Sequence, residues 1–120
     1  MPQKHSRLTG DGRAVWHIER LWGLTQELPV RRVKLAEITE LDMNCWFHDD
    51  DPPTCRAVAN HALKIQRADL SYPIILSADG RLMDGGHRVC KALMMGLPEI
   101  EAVQFREDPA PDYVLPAAEK

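Results

Sequence analysis

The chain has 120 residues, which suits one domain with a single core and leaves no room for separate catalytic and DNA-reading modules. Its formal net charge of -3 and isoelectric point near 5.9 exclude the overall basic character of a non-specific nucleic-acid binder, but not a local basic pocket. The cysteines are odd in number and lack Cys-x-x-Cys spacing, which disfavours a disulfide framework and a zinc site and favours reduced thiols.

No targeting or membrane-spanning segment is apparent. No apolar run reaches membrane-spanning length, and the first residues lack the hydrophobic segment of a secretory signal. We therefore expect a cytoplasmic protein without a membrane partner.

The N-terminal part is predicted to consist of a mobile arm and a helix. Residues 1–13 are polar and contain glycine, so they are expected to lie free of the core. From Val15 to Trp22 the apolar residues recur at helical spacing, which predicts a helix over residues 14–26 that ends before Pro29.

A short strand and a loop are predicted next. Apolar and basic residues alternate over residues 30–35, as in a half-buried strand. A turn of helix is expected near residues 36–41. The three aspartates and two prolines of NCWFHDDDPPT then indicate a loop.

Thr54 predicts the start of a second helix. It is a favourable N-cap residue, and an apolar stripe at helical spacing follows it as far as about Ala68. We expect this stripe to face the core: Cys55, Val58, Ala59, Ala62 and Leu63. The opposite face is interpreted either as a solvated helix surface or as a phosphate-facing edge: Arg56, Asn60, Lys64 and Arg67.

The clearest pattern lies between residues 73 and 105. Two β-rich runs flank Asp79-Gly80, the dipeptide that most readily forms a tight hairpin. A third helix is predicted from Gly86 or His87 to a stop at Gly96. Its buried face is expected to comprise Val89, Ala92 and Leu93.

One more strand and a tail complete the prediction. The segment IEAVQF alternates as a strand, and the acidic, proline-rich residues 107–120 are expected to lie over the surface or to be disordered. With residues 14–106 as its only domain, the chain is predicted to have a mixed α/β, or α+β, fold.

Gly85 and Gly86 lie where the hairpin enters the third helix. The first amides of a helix lack internal partners and lie at its positive dipole end, so they can hold an anion, and glycines let a phosphate approach. Arg88 would add a bidentate contact and Lys91 a basic rim. Alternatively, the glycines only form a tight corner, Asp84 caps the helix and the basic residues face water.

The segment YPIILSADGRLMDGGHRVCKALMMGLPEIEAVQF resembles the core of the ParB-like N-terminal domain superfamily, which also contains sulfiredoxin. The similar features are an apolar strand, an Asp-Gly hairpin, a Gly-x-x-Arg turn, a helix containing alanine, a glycine stop and a closing strand. The resemblance covers about residues 30–106 and is tight from Pro73 to Phe105. The motif positions are occupied by Gly85, Arg88 and Ala92.

This resemblance implies a ParB/sulfiredoxin-like fold, with a short mixed sheet flanked by helices. It also implies a phosphate or nucleotide site lined by Gly85, Gly86, His87 and Arg88. Gly86 stands where sulfiredoxin has its catalytic cysteine, and Cys90 lies one helical turn further on, so sulfinic acid reduction is not expected. The His87-Arg88 pair differs from the Arg-Arg form of nucleotide-hydrolysing partition proteins, which leaves cytidine specificity unsupported.

Two sets of acidic residues are candidates for chemistry. Asp84 adjoins the turn and is the best-placed general base, with His87 as the second choice. Clustered carboxylates suit the Mg²⁺ that accompanies a nucleotide, although adjacent acids before Pro-Pro more often form a solvated turn. The residues concerned are Asp49, Asp50 and Asp51. Nothing in the sequence indicates haem, flavin or zinc, and His61 shows no spacing that suggests a role.

Three functions are compatible with these patterns. The leading interpretation is a ParB-like domain that binds a nucleotide or a phosphorylated small molecule, with nucleotide hydrolysis or phosphotransfer implied by the resemblance. The second is a DNA-binding protein or magnesium-dependent nuclease, which the acidic charge balance disfavours. The third is a non-catalytic interaction or regulatory module.

Overall fold

Three strands from the two ends of the chain form one antiparallel sheet. The computed structural model describes residues 3–116, in which β1 (Lys4–Thr9) and β2 (Gly12–His17) form a hairpin. β7 (Tyr113–Pro116) pairs with the other side of β2, so the order is β1-β2-β7. This first sheet therefore joins segments about a hundred residues apart.

Four strands form a second sheet in the order β3-β6-β4-β5. They are β3 (Arg31–Lys34), β4 (Ile74–Leu76), β5 (Leu82–Asp84) and β6 (Glu99–Gln104). β4 and β6 run parallel, whereas β3 pairs with β6 and β5 pairs with β4 in the antiparallel direction.

Three helices complete the described part of the fold. α1 (Ile18–Leu24) follows β2 directly, α2 (Cys55–Arg67) precedes β4, and α3 (Gly86–Met94) connects β5 to β6. Two short 3-10 turns lie over Leu35–Glu37 and Thr39–Asp42. No helix within residues 3–116 combines the length and the apolar character needed to cross a bilayer.

The buried side chains form two clusters on opposite faces of β4. Ile74 and Leu76 belong to the cluster that includes Val89 and Ala92 of α3, whereas Ile75 belongs to the cluster that includes Trp16 of β2. Successive residues of a strand point to opposite faces, so a strand covered on both sides needs an uninterrupted apolar run. The central position of β4 therefore explains the sequence Ile-Ile-Leu.

The predictions for the second half of the chain are largely confirmed. The Thr54 hydroxyl accepts a hydrogen bond of 3.1 Å from the Ala57 amide at the start of α2. Gly80 occupies the β4–β5 turn with a φ of 87°, and Gly96 follows α3 with a φ of 73°. The small single-domain α+β class is confirmed, and the predicted helical turn near residues 36–41 corresponds to the two 3-10 turns.

The structure corrects the prediction for the N-terminal part. Residues 4–17 form the β1–β2 hairpin instead of an arm and the start of a helix, and α1 begins only at Ile18. The apolar run Ala14-Val15-Trp16 is compatible with a helix as well as with a buried strand. Local spacing does not reveal that this run pairs with β7. Residues 1 and 2 lie outside the described residues.

The predicted buried faces of two helices also need correction. The stripe from Cys55 to Leu63 is exposed, and α2 turns its other side inward, with Ala57, His61, Ile65 and Ala68 half-buried. In α3, Val89 and Ala92 are buried as predicted, but Leu93 is 54% exposed. Both errors arise because several apolar residues surround each helix, so spacing alone does not select the packed side.

Part of the predicted tail packs against the first sheet. The Trp16 indole donates a hydrogen bond of 2.8 Å to the Pro109 carbonyl, and the Asp112 carboxylate accepts one of 2.7 Å from the His17 amide. These contacts lead into β7, whereas residues 117–120 lie outside the described residues. The prediction of a surface or disordered tail therefore missed a strand.

The contrast between Leu21 and Leu93 provides a matched test of this fold. Leu21 is 0% exposed, so Leu21→Ala should lower the free energy of unfolding by about 3 kcal/mol through lost burial and cavity formation. Leu93→Ala should change it by less than about 0.5 kcal/mol because the side chain already contacts water. Urea unfolding of both variants measures the difference, and equal losses would contradict this placement of α3.

Candidate functional site

The Gly85-Gly86 step forms the corner between β5 and α3. Gly85 has a φ of 116°, and a Cβ atom added there would lie 2.5 Å from Ile74 Cγ2. Its carbonyl accepts a 2.9 Å hydrogen bond from the Val89 amide, and no side chain within residues 3–116 caps α3. Glycine is thus required by conformation and by packing, while the first amides of α3 lack a capping side chain.

Asp84 binds Arg88 and does not cap the helix. Arg88 Nη2 donates a hydrogen bond of 2.8 Å to Asp84 Oδ2, and Nη1 donates to the carbonyls of Tyr72 at 3.1 Å and Pro73 at 2.9 Å. The Arg88 and Asp84 side chains are 12% and 15% exposed. The guanidinium therefore joins α3 to the segment entering β4, which differs from both sequence interpretations of Arg88.

Two histidines and a tryptophan form a stacked cluster beside this corner. His61 Nδ1 and His87 Nε2 are 2.8 Å apart, within hydrogen-bond distance. The Trp46 ring stacks on both imidazoles, with centroid distances of 4.4 Å to His61 and 4.5 Å to His87. Trp46 also covers Gly86, where an added Cβ atom would lie 3.3 Å from the indole.

This cluster could not be found from the sequence. His61 and His87 lie on different helices, 26 residues apart, and neither belongs to a recognisable ligand or catalytic spacing. Only the packing of α2 against α3 brings their rings together. The sequence had assigned a role to His87 alone.

Burial keeps both imidazoles neutral at pH 7. Together with the charges of His61, Lys64 and Arg88, it lowers the pKa of His87 from 6.5 to about 4. Burial and Lys64 also lower the pKa of His61. Because each neutral imidazole has one donor and one acceptor nitrogen, one ring donates to the other.

An open cleft of about 1580 Å³ lies between the N-terminal hairpin, the end of α2 and the β5–α3 corner. Its walls carry seven lysines and arginines: Lys4, Arg7, Arg13, Lys64, Arg67, Arg81 and Arg88. Three acidic residues line it as well: Glu40, Asp69 and Asp84. A chain with a net charge of -3 therefore concentrates positive charge in this cleft.

Most of these cations lack an acidic partner. Within residues 3–116, Arg88 forms a salt bridge with Asp84 and Arg81 forms one of 2.7 Å with Asp79, whereas the other five cations of the cleft form none. Uncompensated charge of this kind attracts anions by Coulombic interaction.

Lys91 lies outside the cleft. Its ammonium donates hydrogen bonds to the carbonyls of Gln66 at 2.9 Å and Ala68 at 2.7 Å, at the C-terminal end of α2. These contacts satisfy carbonyls that have no partner within the helix. Lys91 is thus placed to fasten α2 to α3 rather than to form a basic rim around the glycine corner.

The aspartates proposed for magnesium binding form an exposed turn. Asp49 and Asp50 lie at its tip, and His48 and Asp51 close it with backbone hydrogen bonds of 3.2 and 2.9 Å. The part of the chain that the structure describes contains no group of three or more His, Cys, Asp or Glu side chains that could hold a metal ion. The magnesium site therefore stays a prediction.

The three cysteines carry no disulfide bond. Cys90 is half-buried in α3, and burial raises the pKa of its thiol, as it does for Cys45. A raised pKa leaves little thiolate at neutral pH, so these two groups are poor nucleophiles.

Comparison of the chain with models of protein families gives no match, and neither do comparisons with curated proteins and with solved structures. The interpretation of the cleft therefore depends on its own geometry and charge.

The Arg88 contacts predict a loss of stability on truncation. Arg88→Ala leaves the Asp84 carboxylate and two carbonyls without their donor, and should lower the free energy of unfolding by about 2 kcal/mol. Arg67→Ala is the control, because Arg67 is exposed and forms no salt bridge within residues 3–116. Urea unfolding compares the two, and an Arg88→Ala protein as stable as the control would contradict the proposed structural role.

The histidine cluster predicts an unusual titration. His87 should change protonation near pH 4, and Trp46→Ala should move its pKa toward 6.5 by admitting water. The unfolded chain binds more protons than the folded one between about pH 6.5 and pH 4, so His87 makes stability fall as the pH falls through that range. NMR titration of the ring protons measures both values, and a midpoint near 6.5 in the wild type would refute the cluster.

Proposed function

We propose that the cleft binds a nucleotide or another phosphorylated small molecule, with a phosphate group at the start of α3. The observation that carries the proposal is the set of cations without acidic partners in the cleft of an acidic chain. Such a cleft attracts an anionic ligand while the remaining surface repels nucleic acid in general.

The start of α3 supports the placement of the phosphate. The amides of Gly86 and His87 lie at the positive end of a helix without a capping side chain in the described chain, which is a favourable environment for an anion. Lys64 and Arg67 line the same cleft from the end of α2 and would add charge. Arg88 contributes by fixing the corner, since its guanidinium is already bonded to the protein.

Aromatic side chains support a nucleotide as the ligand. Trp22, Trp46 and Tyr72 also line the cleft, and aromatic faces are the surfaces on which bases stack. The resemblance of residues 73–105 to the ParB-like superfamily supports the same ligand class. Within these residues the chain forms the β4–β5 hairpin, then α3, then β6.

Hydrolysis or phosphotransfer is the activity we propose for this site. His87 lines the cleft as a neutral imidazole at pH 7 and is in the protonation state of a general base. Asp84 also lines it, but its carboxylate already accepts a hydrogen bond from Arg88.

Free thiols at all three cysteines support a cytoplasmic location.

Calorimetric titration with AMP, ATP and inorganic phosphate tests the proposal. Removal of one charge next to the phosphate should weaken binding about tenfold, so Arg67→Gln should reduce the affinity for AMP by that factor. Arg56→Gln on the same helix should leave the affinity unchanged, because Arg56 does not line the cleft.

Two results would refute the proposal. One is the absence of binding of all three compounds at millimolar concentration, and the other is equal binding by Arg67→Gln and the wild type. Tight, steeply salt-dependent binding of single-stranded DNA without nucleotide binding would favour the nucleic-acid interpretation instead.

A further inference from the structure

We propose that Arg7 and Arg81 form a second anion site in the cleft, and that the ligand is a nucleotide with two separated phosphates, a nucleoside 3′,5′-bisphosphate. The first phosphate site is the one in the proposed function, on which this choice of ligand depends. The Arg7–Arg81 site has its own structural basis.

Arg7 is a half-buried cation without an acidic partner. It shares the inward face of β1 with His5, since these two residues lie opposite Ala14 and Trp16 of β2. Its guanidinium lies 5.7 Å from the centre of the Trp16 ring, and Nη2 is 3.3 Å from His5 Nε2. Among residues 3–116 it forms no salt bridge, so a buried positive charge is left without a counterion.

The neighbours of Arg7 include a second cation, and the nearby carboxylates do not outweigh its effect together with burial. Burial and then the charge of Arg81 lower the pKa of Arg7, and these effects exceed the opposing influence of Asp79, Asp108 and Glu40. Burial, with Arg7 and Arg81, also lowers the pKa of His5 to about 4, so His5 is neutral at pH 7. A bound anion would relieve this repulsion between two guanidinium groups.

Arg81 is oriented for this role by the hairpin turn. Asp79 Oδ2 accepts a hydrogen bond of 2.7 Å from Arg81 Nε, and Asp79 Oδ1 accepts one of 3.1 Å from the Arg81 amide. These bonds hold the side chain through Nε and leave its two terminal nitrogens without a partner in the described chain. Both arginines line the cleft, Arg7 from β1 and Arg81 from the turn that precedes β5.

The spacing along β5 determines what kind of ligand fits. Gly85 lies four positions after Arg81, which corresponds to about 13 Å at the rise of a β-strand. Because Asp79 holds Arg81 Nε at the turn end of β5, one phosphate group is too small to contact both the Arg81 guanidinium and the α3 amides. A nucleoside with a phosphate on each side of its ribose supplies two anionic groups and a base for the aromatic side chains.

Calorimetric titration with AMP, adenosine 3′,5′-bisphosphate and ATP tests the second site. The wild type should bind the bisphosphate at least tenfold more tightly than AMP. Arg7→Gln should abolish this gain, so that the variant binds the bisphosphate no more tightly than AMP. Arg32→Gln is the control, because Arg32 lies exposed on β3 outside the cleft. If Arg7→Gln does not fold, Arg7→Lys should lose part of the gain, since it keeps the charge without the planar fork.

The outcomes separate the two proposals. If AMP binds but the bisphosphate binds no more tightly, or its gain persists in Arg7→Gln, the second site is refuted and the proposed function stands. If ATP binds as much more tightly than AMP as the bisphosphate does, and Arg7→Gln removes this gain, the bisphosphate is refuted as the ligand. If Arg7→Gln weakens binding of the bisphosphate but Arg67→Gln does not, the first site alone is refuted. Failure of all three compounds to bind would refute both.

Discussion

The close approach of the Gly85 backbone to Ile74 fixes the relation between α3 and the second sheet. Ile74 is fully buried in β4, and the space beside its side chain is filled by a residue that has no Cβ atom. Arg88 then holds the first turn of α3 against the segment entering β4. Both contacts tie α3 to β4, and they determine where the amides of α3 point.

The same corner positions the aromatic cluster. Gly86 leaves room for Trp46, and His87 on the next position meets His61 of α2. The stacked rings of Trp46, His61 and His87 thereby join the loop before α2, α2 itself and the β5–α3 corner. An added Cβ atom at position 86 would lie 3.3 Å from the indole, so Trp46 would have to shift by a few tenths of an ångström.

The sequence predicts the part of the fold that local rules determine. Thr54 caps α2, Asp79-Gly80 forms the turn, and Gly96 ends α3, because each of these features depends on a few neighbouring residues. The N-terminal hairpin depends on β7 and the packed side of α2 depends on α3, so neither follows from local spacing. For the site, the Gly85-Gly86 pattern predicts the position of the corner. It does not predict the contacts of Arg88, because its partners Tyr72 and Pro73 are distant in sequence.

The excess of positive charge in the cleft is not evident from the composition of the chain. The total of -3 is the sum over the chain, whereas the hairpin, α2 and the segments on either side of β5 bring their cations to one cleft. Two of these cations, Arg81 and Arg88, form salt bridges with carboxylates, so the number of charged residues overstates the attraction for a ligand. The other five cations lie on β1, β2 and α2, so a ligand in the cleft meets positive charge from three different elements.

The pairing of β2 with β7 has a consequence for the order in which the protein is made. A hairpin of two strands is marginally stable alone in water, and β7 follows every strand of the second sheet along the chain. The second sheet and its helices draw on residues 31–104 and can assemble earlier. The wall of the cleft formed by β1 therefore becomes stable only after the second sheet has been synthesised, so a nascent chain would have the glycine corner before it had a complete cleft.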